Sequence, residues 1–143
     1  MIASTVINSQ NSITMPGQKL RVFISDDSPI MQVRLANMIS DISGVELVGQ
    51  SASVQDSIRE INRLRPDAVI LDIRMLGGSG IDVLTEIKKY QKPPLVIMLT
   101  NYPFPQYRKR CMDAGADFFL DKSNEFQKVI DIFRSLTLLN NIK

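Results

Sequence analysis

Two adjacent carboxylates, Asp26 and Asp27, follow the apolar run Val22-Phe23-Ile24, and a third, Asp72, follows Ala68-Val69-Ile70-Leu71. Thr100 ends the run from Leu95 to Leu99, and Lys122 comes just after Phe118-Phe119-Leu120. Three carboxylates in one crevice repel one another and resist ionising together unless a cation joins them. A hard ion with oxygen ligands, such as magnesium, meets that need and keeps positions for water and phosphate oxygens. Lys122 adds a positive point charge and Thr100 a hydroxyl donor. A carboxylate, a metal, a lysine and a hydroxyl are the parts that receive a phosphoryl group: the carboxylate attacks, and the cations absorb charge on the transferring oxygens. Singly, Asp-Asp reads as a turn or helix cap and Lys122 as a solvated lysine. Four run ends with complementary chemistry outweigh those separate explanations.

Bringing these residues together requires five strands. Besides the four runs above there is Val45-Glu46-Leu47-Val48, which alternates and suits a sheet edge. The others are continuous, as expected of strands buried on both faces of a parallel sheet. Helical stripes fill the gaps. Met31, Leu35, Met38 and Ile42 share a face after Ser28-Pro29, an N-cap with proline at the first helical position. Val54, Ile58, Ile61 and Leu64 follow the cap Ser53 with Asp56 three residues on, and Pro66 stops that helix. Ile81, Leu84 and Ile87 form a third stripe, ended by Pro93-Pro94. Tyr107, Cys111 and Ala114 form a fourth, closed by Gly115, and Phe126, Val129, Ile130, Phe133 and Leu136 a fifth.

Five strand–helix repeats predict an α/β fold, a flavodoxin-like (βα)5 three-layer sandwich with parallel sheet order 2-1-3-4-5. In such a sheet all carboxyl ends lie on one edge, and ligands bind there beside the switch point between the first and third strands. That point brings Asp26, Asp27 and Asp72 together, with Thr100 and Lys122 adjacent.

The composition narrows the function classes. The 143 residues suit one domain with a self-sufficient core. A formal charge of +2 is too small to argue for nucleic acid or a membrane surface as a partner. The absence of histidine removes serine–histidine catalysis, histidine zinc sites and a phosphohistidine role. Cys111 is the single cysteine, so there is no internal disulfide, and a reducing, cytoplasmic setting is expected. Residues 1–18 lack the basic start and apolar stretch of a secretion signal; they are expected to be a flexible extension, with Met15 as an alternative start. Residues 19–143 are expected to form a single domain.

From about Lys19 to Leu139 the chain resembles the receiver domain of two-component response regulators. The matching segments are Val22-Phe23-Ile24-Ser25-Asp26-Asp27-Ser28, Val69-Ile70-Leu71-Asp72-Ile73-Arg74-Met75, Met98-Leu99-Thr100 and Gly115-Ala116-Asp117-Phe118-Phe119-Leu120-Asp121-Lys122. The resemblance implies that Asp72 accepts phosphate from a histidine kinase or phosphotransfer protein. It implies Mg2+ as cofactor, ligated by Asp27, Asp72 and the backbone carbonyl of Arg74, with Asp26 acting mostly through water. Thr100 and Lys122 would hold the phosphoryl oxygens, and Phe119 occupies the aromatic switch position. The implied protein is a signalling switch, not an enzyme in the usual sense, that assists its own phosphotransfer and autodephosphorylation. Its output face would comprise the fourth helix, fifth strand and fifth helix and meet a downstream protein; a phosphorylation-dependent homodimer is a further expectation.

Three residues depart from the common pattern. Leu76 stands where proline is usual and precedes a flexible Gly-rich loop at residues 77–80, Ser123 replaces the proline after the lysine, and Phe119 lacks a tyrosine hydroxyl. The loop and the Lys-Ser pair look like the subgroup with helix-turn-helix outputs. Without proline, the Lys122–Ser123 bond is expected to be trans, and Phe119, with no hydroxyl to keep wet, to turn inward before phosphorylation. Arg108-Lys109-Arg110 reads as a solvated basic face or, more sharply, as a patch for an acidic partner with Tyr102 and Phe104 as anchors.

The rival reading is a receiver-fold interaction module that works without phosphate, which the complete Asp26, Asp27, Asp72, Thr100 and Lys122 set disfavours. A haloacid-dehalogenase-type phosphatase needs a second acid two residues after the nucleophile, where this chain has Arg74. The residues up to Lys143 carry no helix-turn-helix pattern, and both a stand-alone receiver and the receiver half of a longer regulator stay open.

Overall fold

The computed structural model describes residues 18–141. The expected extension therefore lies outside the described residues except for Gln18, an exposed bend. The chain runs β1 (Leu20–Ser25), α1 (Pro29–Ser40), β2 (Val45–Ser51), α2 (Val54–Leu64), β3 (Ala68–Leu71), β4 (Arg74–Met75), β5 (Gly78–Ser79), α3 (Gly80–Ile87), β6 (Leu95–Thr100), α4 (Pro105–Asp113), β7 (Phe118–Asp121) and α5 (Phe126–Asn141). Five strands form one sheet in the order β2-β1-β3-β6-β7, all parallel. Apart from the short β4 and β5, this is the predicted flavodoxin-like order.

The continuous apolar runs are explained by burial on both faces. Val22, Ile24, Ile70, Ile97 and Leu99 pack with Leu35, Ile39, Val129 and Phe133 from α1 and α5. Phe23, Val69, Leu71, Val96 and Met98 point the other way, onto Ile61, Leu84, Ile87 and Cys111 from α2, α3 and α4. Each such apolar side chain contributes roughly 1.5–3 kcal/mol on burial. β2 lies at an edge, with Glu46 and Gln50 exposed. No helix among the described residues is long and apolar enough to cross a membrane.

The caps form as the sequence predicts. Ser28 adopts extended backbone and its hydroxyl accepts the Met31 N–H, with Pro29 in the first turn. Ser53 accepts the Asp56 N–H, and α2 ends at Leu64 with Arg65 left-handed, just before Pro66. All peptide bonds among the described residues are trans, Lys122–Ser123 included.

One expectation is overturned. Residues 77–80 are not a free loop: Arg74 and Met75 pair antiparallel with Ser79 and Gly78, Gly80 opens α3, and Gly77 and Gly78 supply the positive φ of the turn. The hairpin is tied to α2, because the Val54 N–H donates to Leu76 O at 2.9 Å and the Leu76 N–H to Ala52 O at 3.3 Å.

Candidate functional site

Asp26, Asp72, Thr100 and Lys122 occupy the carboxyl ends of β1, β3, β6 and β7, on the edge where parallel strands all finish. Local structure fixes each one. The Ser28 N–H donates to Asp26 Oδ1 at 2.9 Å, so the turn that caps α1 also orients this carboxylate. Gln32, one turn into α1, donates to Asp26 O at 2.7 Å and to Ser51 O at 3.0 Å, clamping the ends of β1 and β2. The Ile73 N–H donates to Asp72 Oδ1 at 2.7 Å. The Lys122 N–H donates to Thr100 O at 2.8 Å, holding the end of β7 against that of β6.

Lys122 is the centre of the cluster. Its Nζ lies 2.7 Å from Asp26 Oδ2 and 2.8 Å from Asp72 Oδ2. Burial opposes its charge, but the bonds to Asp26 and Asp72 outweigh that and raise its pKa above the ordinary lysine value. Burial raises the Asp72 pKa; Lys122 pulls it down in part, and the nearby Asp26 adds to the rise. Thr100 is fully buried, and its Oγ1 accepts the Tyr102 N–H at 3.0 Å. Asp26 is buried and its neighbour Asp27 exposed.

Asp26, Asp27 and Asp72 each offer a carboxylate oxygen, and the three oxygens lie within 4.8 Å of one another. An all-oxygen anionic set of this size fits a hard divalent ion. Carboxylate oxygens accept more than one partner, so the bonds to Ser28, Ile73 and Lys122 do not exhaust them.

Phe119 is 3% exposed, with the Arg108 guanidinium 4.8 Å from its ring centre. Arg74 is exposed, and its guanidinium lies 3.9 Å from the Tyr102 ring centre, so its side chain is spent on the loop after β6. Of the basic residues on α4, Arg108 turns onto β7, and Lys109 pairs with Asp113 at 3.0 Å. Phe104 is 48% exposed and Tyr102 half-buried. Sequence reasoning missed two positioning residues, Gln32 and Gly80. A Cβ on Gly80 would collide with the Asp72 backbone oxygen, so only glycine fits against the acidic residue that follows β3.

A profile described as "Response regulator receiver domain" matches residues 22–134. The response regulator protein VraR of Staphylococcus aureus is 29% identical over 115 residues, covering 80% of this chain and 55% of that protein. The chain thus spans about half the length of the curated relatives it matches. A CheX–CheY complex with BeF3 and Mg2+ from Borrelia burgdorferi superposes with a TM-score of 0.72 at 27% identity, covering 82% of this chain and 91% of that one. The response regulator domain of Thermotoga maritima CheB shares the fold, with a TM-score of 0.75 at 24% identity over 88% of this chain and 99% of that one. So does a LuxR-family DNA-binding response regulator from Staphylococcus aureus, with a TM-score of 0.76 at 23% identity over 82% and 98%. With the sheet order, the strand-end cluster and the profile in agreement, the chain belongs to the response regulator receiver domain family of two-component signalling.

Proposed function

We propose that Asp72 accepts a phosphoryl group in a Mg2+-dependent reaction and that the domain then changes its output face. The observation that carries this is the buried Lys122 ammonium bridging Asp26 and Asp72, beside the acidic oxygen set and Thr100. Asp26, Asp27, Asp72 and the Arg74 carbonyl would hold the ion, which supplies charge neutralisation for the phosphoryl oxygens. An Asp72 carboxylate oxygen attacks phosphorus, the bond from phosphorus to the donor nitrogen breaks, and an acyl phosphate results. The donor histidine lies outside this chain, which has none, on a histidine kinase or phosphotransfer protein. Lys122 then follows the new charge, and the Thr100 hydroxyl leaves the Tyr102 N–H to donate to a phosphoryl oxygen. That movement opens space beside Phe119, the switch residue.

The output is a protein contact on the face built by α4, β7 and α5, with a phosphorylation-dependent homodimer as one form. A cytoplasmic location and a single receiver domain over residues 19–143 complete the reading. The test is labelling by a small phosphodonor such as acetyl phosphate with and without Mg2+. The parent should take up base-labile phosphate only with the ion, and Asp72→Asn should take up none. Unchanged labelling of Asp72→Asn would move the acceptor elsewhere, and an unlabelled parent would favour a phosphate-independent interaction module.

A further inference from the structure

Phe119 sits on β7, at the open edge of the parallel sheet. A groove of about 420 Å³ runs along this strand, walled by α4 and α5. Edge strands carry backbone groups that no neighbouring strand satisfies. Here two side chains reach them: Arg108 Nη2 donates to Phe119 O at 3.3 Å, and Glu125 Oε1 accepts the Asp121 N–H at 2.9 Å. The Arg108 guanidinium also covers the Phe119 ring at 4.8 Å, so one arginine touches both the backbone and the ring of one residue.

The helix that carries Arg108 is otherwise lightly held. Cys111 is the one buried residue of α4, its N-cap Phe104 makes no side-chain cap hydrogen bond, and its first turn has no acidic residue. Elements with few buried contacts are the ones that open first. A tether from such a helix to Phe119 therefore ties the position of α4 to that of the ring.

We propose that Arg108 is the positioning residue that holds the Phe119 ring inward before phosphorylation and fastens α4 to the switch. This deepens the reading of Phe119 as the switch residue and rests on it. Turning the ring outward forfeits the cation over its face and displaces the guanidinium from the groove. The carbonyl bond keeps the guanidinium in place, and the two contacts support each other. Arg108 thus works on the sheet, while Lys109 pairs within its own helix.

The full chain labelled with 4-fluorophenylalanine tests this by 19F NMR, the Phe119 signal being assigned with Phe119→Leu. A neutral paramagnetic probe in the solvent reads exposure of the ring. Without added ions, the parent signal should be protected. Arg108→Ala should lower the inward-to-outward ratio about two- to fivefold, as loss of one exposed cation–π contact predicts. Arg108→Lys, which keeps a cation and a donor, should restore protection, and Lys109→Ala should match the parent. Equal protection in Arg108→Ala and the parent overturns the proposal, as does equal loss in Lys109→Ala. Adding Mg2+ and beryllofluoride to the same samples tests the phosphoacceptor reading separately, through the Asp72 and Thr100 amide signals. Those signals staying still would sink that reading, whereas the Arg108 result is read before either is added.

Discussion

The Lys122 ammonium lies 2.8 Å from the Asp72 carboxylate, with the two side chains only 4% and 8% exposed. A second carboxylate, Asp26, is 2.7 Å from the same nitrogen. Removing one partner of a buried ionic group leaves the rest uncompensated, at a cost of about 3–5 kcal/mol. Lys122→Met should therefore lower unfolding stability by about that much in urea titrations without divalent ions. Because the oxygens freed are those of the acidic set, Mg2+ should recover part of the loss. A Lys122→Met protein as stable as the parent, or indifferent to Mg2+, would show that the lysine does not balance these carboxylates.

Gly80 is the steric partner of the Asp72 backbone, just after β3. An added methyl group would collide with the Asp72 carbonyl oxygen and carbon, both backbone atoms without a side chain's freedom to swing away. Gly80→Ala should cost about 3 kcal/mol, the upper end of ordinary overpacking, and should lower Asp72 labelling in the molecules that remain folded. Urea unfolding and phosphodonor labelling check the two halves. Parent-like stability would mean that the β5–α3 junction relaxes freely.

How far the sequence carried these conclusions depends on where the cause lies. Val22-Phe23-Ile24 and Ala68 to Leu71 were legible as central strands because burial on both faces leaves no polar position. The five strand-end residues were legible because parallel topology puts all carboxyl ends on one edge. The β4–β5 ladder was not, since a Gly-rich stretch has no period and its anchor is the contact of Leu76 with Ala52 and Val54. Gln32 looked like any polar residue of a first turn; its bonds to Asp26 O and Ser51 O exist only once β1 and β2 are paired. Nor could the doublet Asp26-Asp27 say which carboxylate turns inward. Arg108 is exposed, as its helical position suggests, but that position alone does not show that its end also reaches Phe119 O on β7.

At the opposite end of the sheet, burial pushes the Asp67 carboxyl up to about 6, offset only in part by the Arg21 N–H and by the Arg21 charge. Its Oδ2 accepts that N–H at 2.8 Å. The folded value lies above the unfolded value near 3.9, so the folded state binds the extra proton between the two. The contribution to stability is thus full below about pH 4 and is lost as pH rises through about 6. Asp67→Asn, which keeps an acceptor and cannot ionise, should gain on the parent as pH rises from 4 to 7. A stability difference that stays constant across that range would refute the assignment.

Cys111 is fully buried on the inner side of α4, and burial pushes its thiol up to about 11. Only the thiolate reacts readily with disulfide reagents. The folded protein should leave an aromatic disulfide reagent uncoloured at pH 8 and release one equivalent once unfolded in urea. Rapid release from the folded protein would show that α4 opens often enough to expose the thiol.

On the proposed reading, the lifetime of a phosphoryl group on Asp72 would depend on water reaching the oxygen–phosphorus bond. Arg74 starts two residues after Asp72 and places its guanidinium 3.9 Å from the Tyr102 ring centre. Tyr102 in turn donates its N–H to Thr100 Oγ1. The arginine therefore spans from the segment after β3 to the loop after β6. Asn101, directly after Thr100, is exposed. Arg74→Ala and Tyr102→Ala should each speed autodephosphorylation by about two- to fivefold, the range for an exposed cation–π contact. The double variant should be no faster than either alone, because both remove one contact. Asn101→Ala should speed decay independently, by widening the same approach. Decay of phosphorylated protein is followed with Mg2+ present and the donor removed. Unchanged or slower decay in Arg74→Ala would mean that the stacked arginine leaves the water path open, and additive rates in the double variant would show that the two side chains act separately.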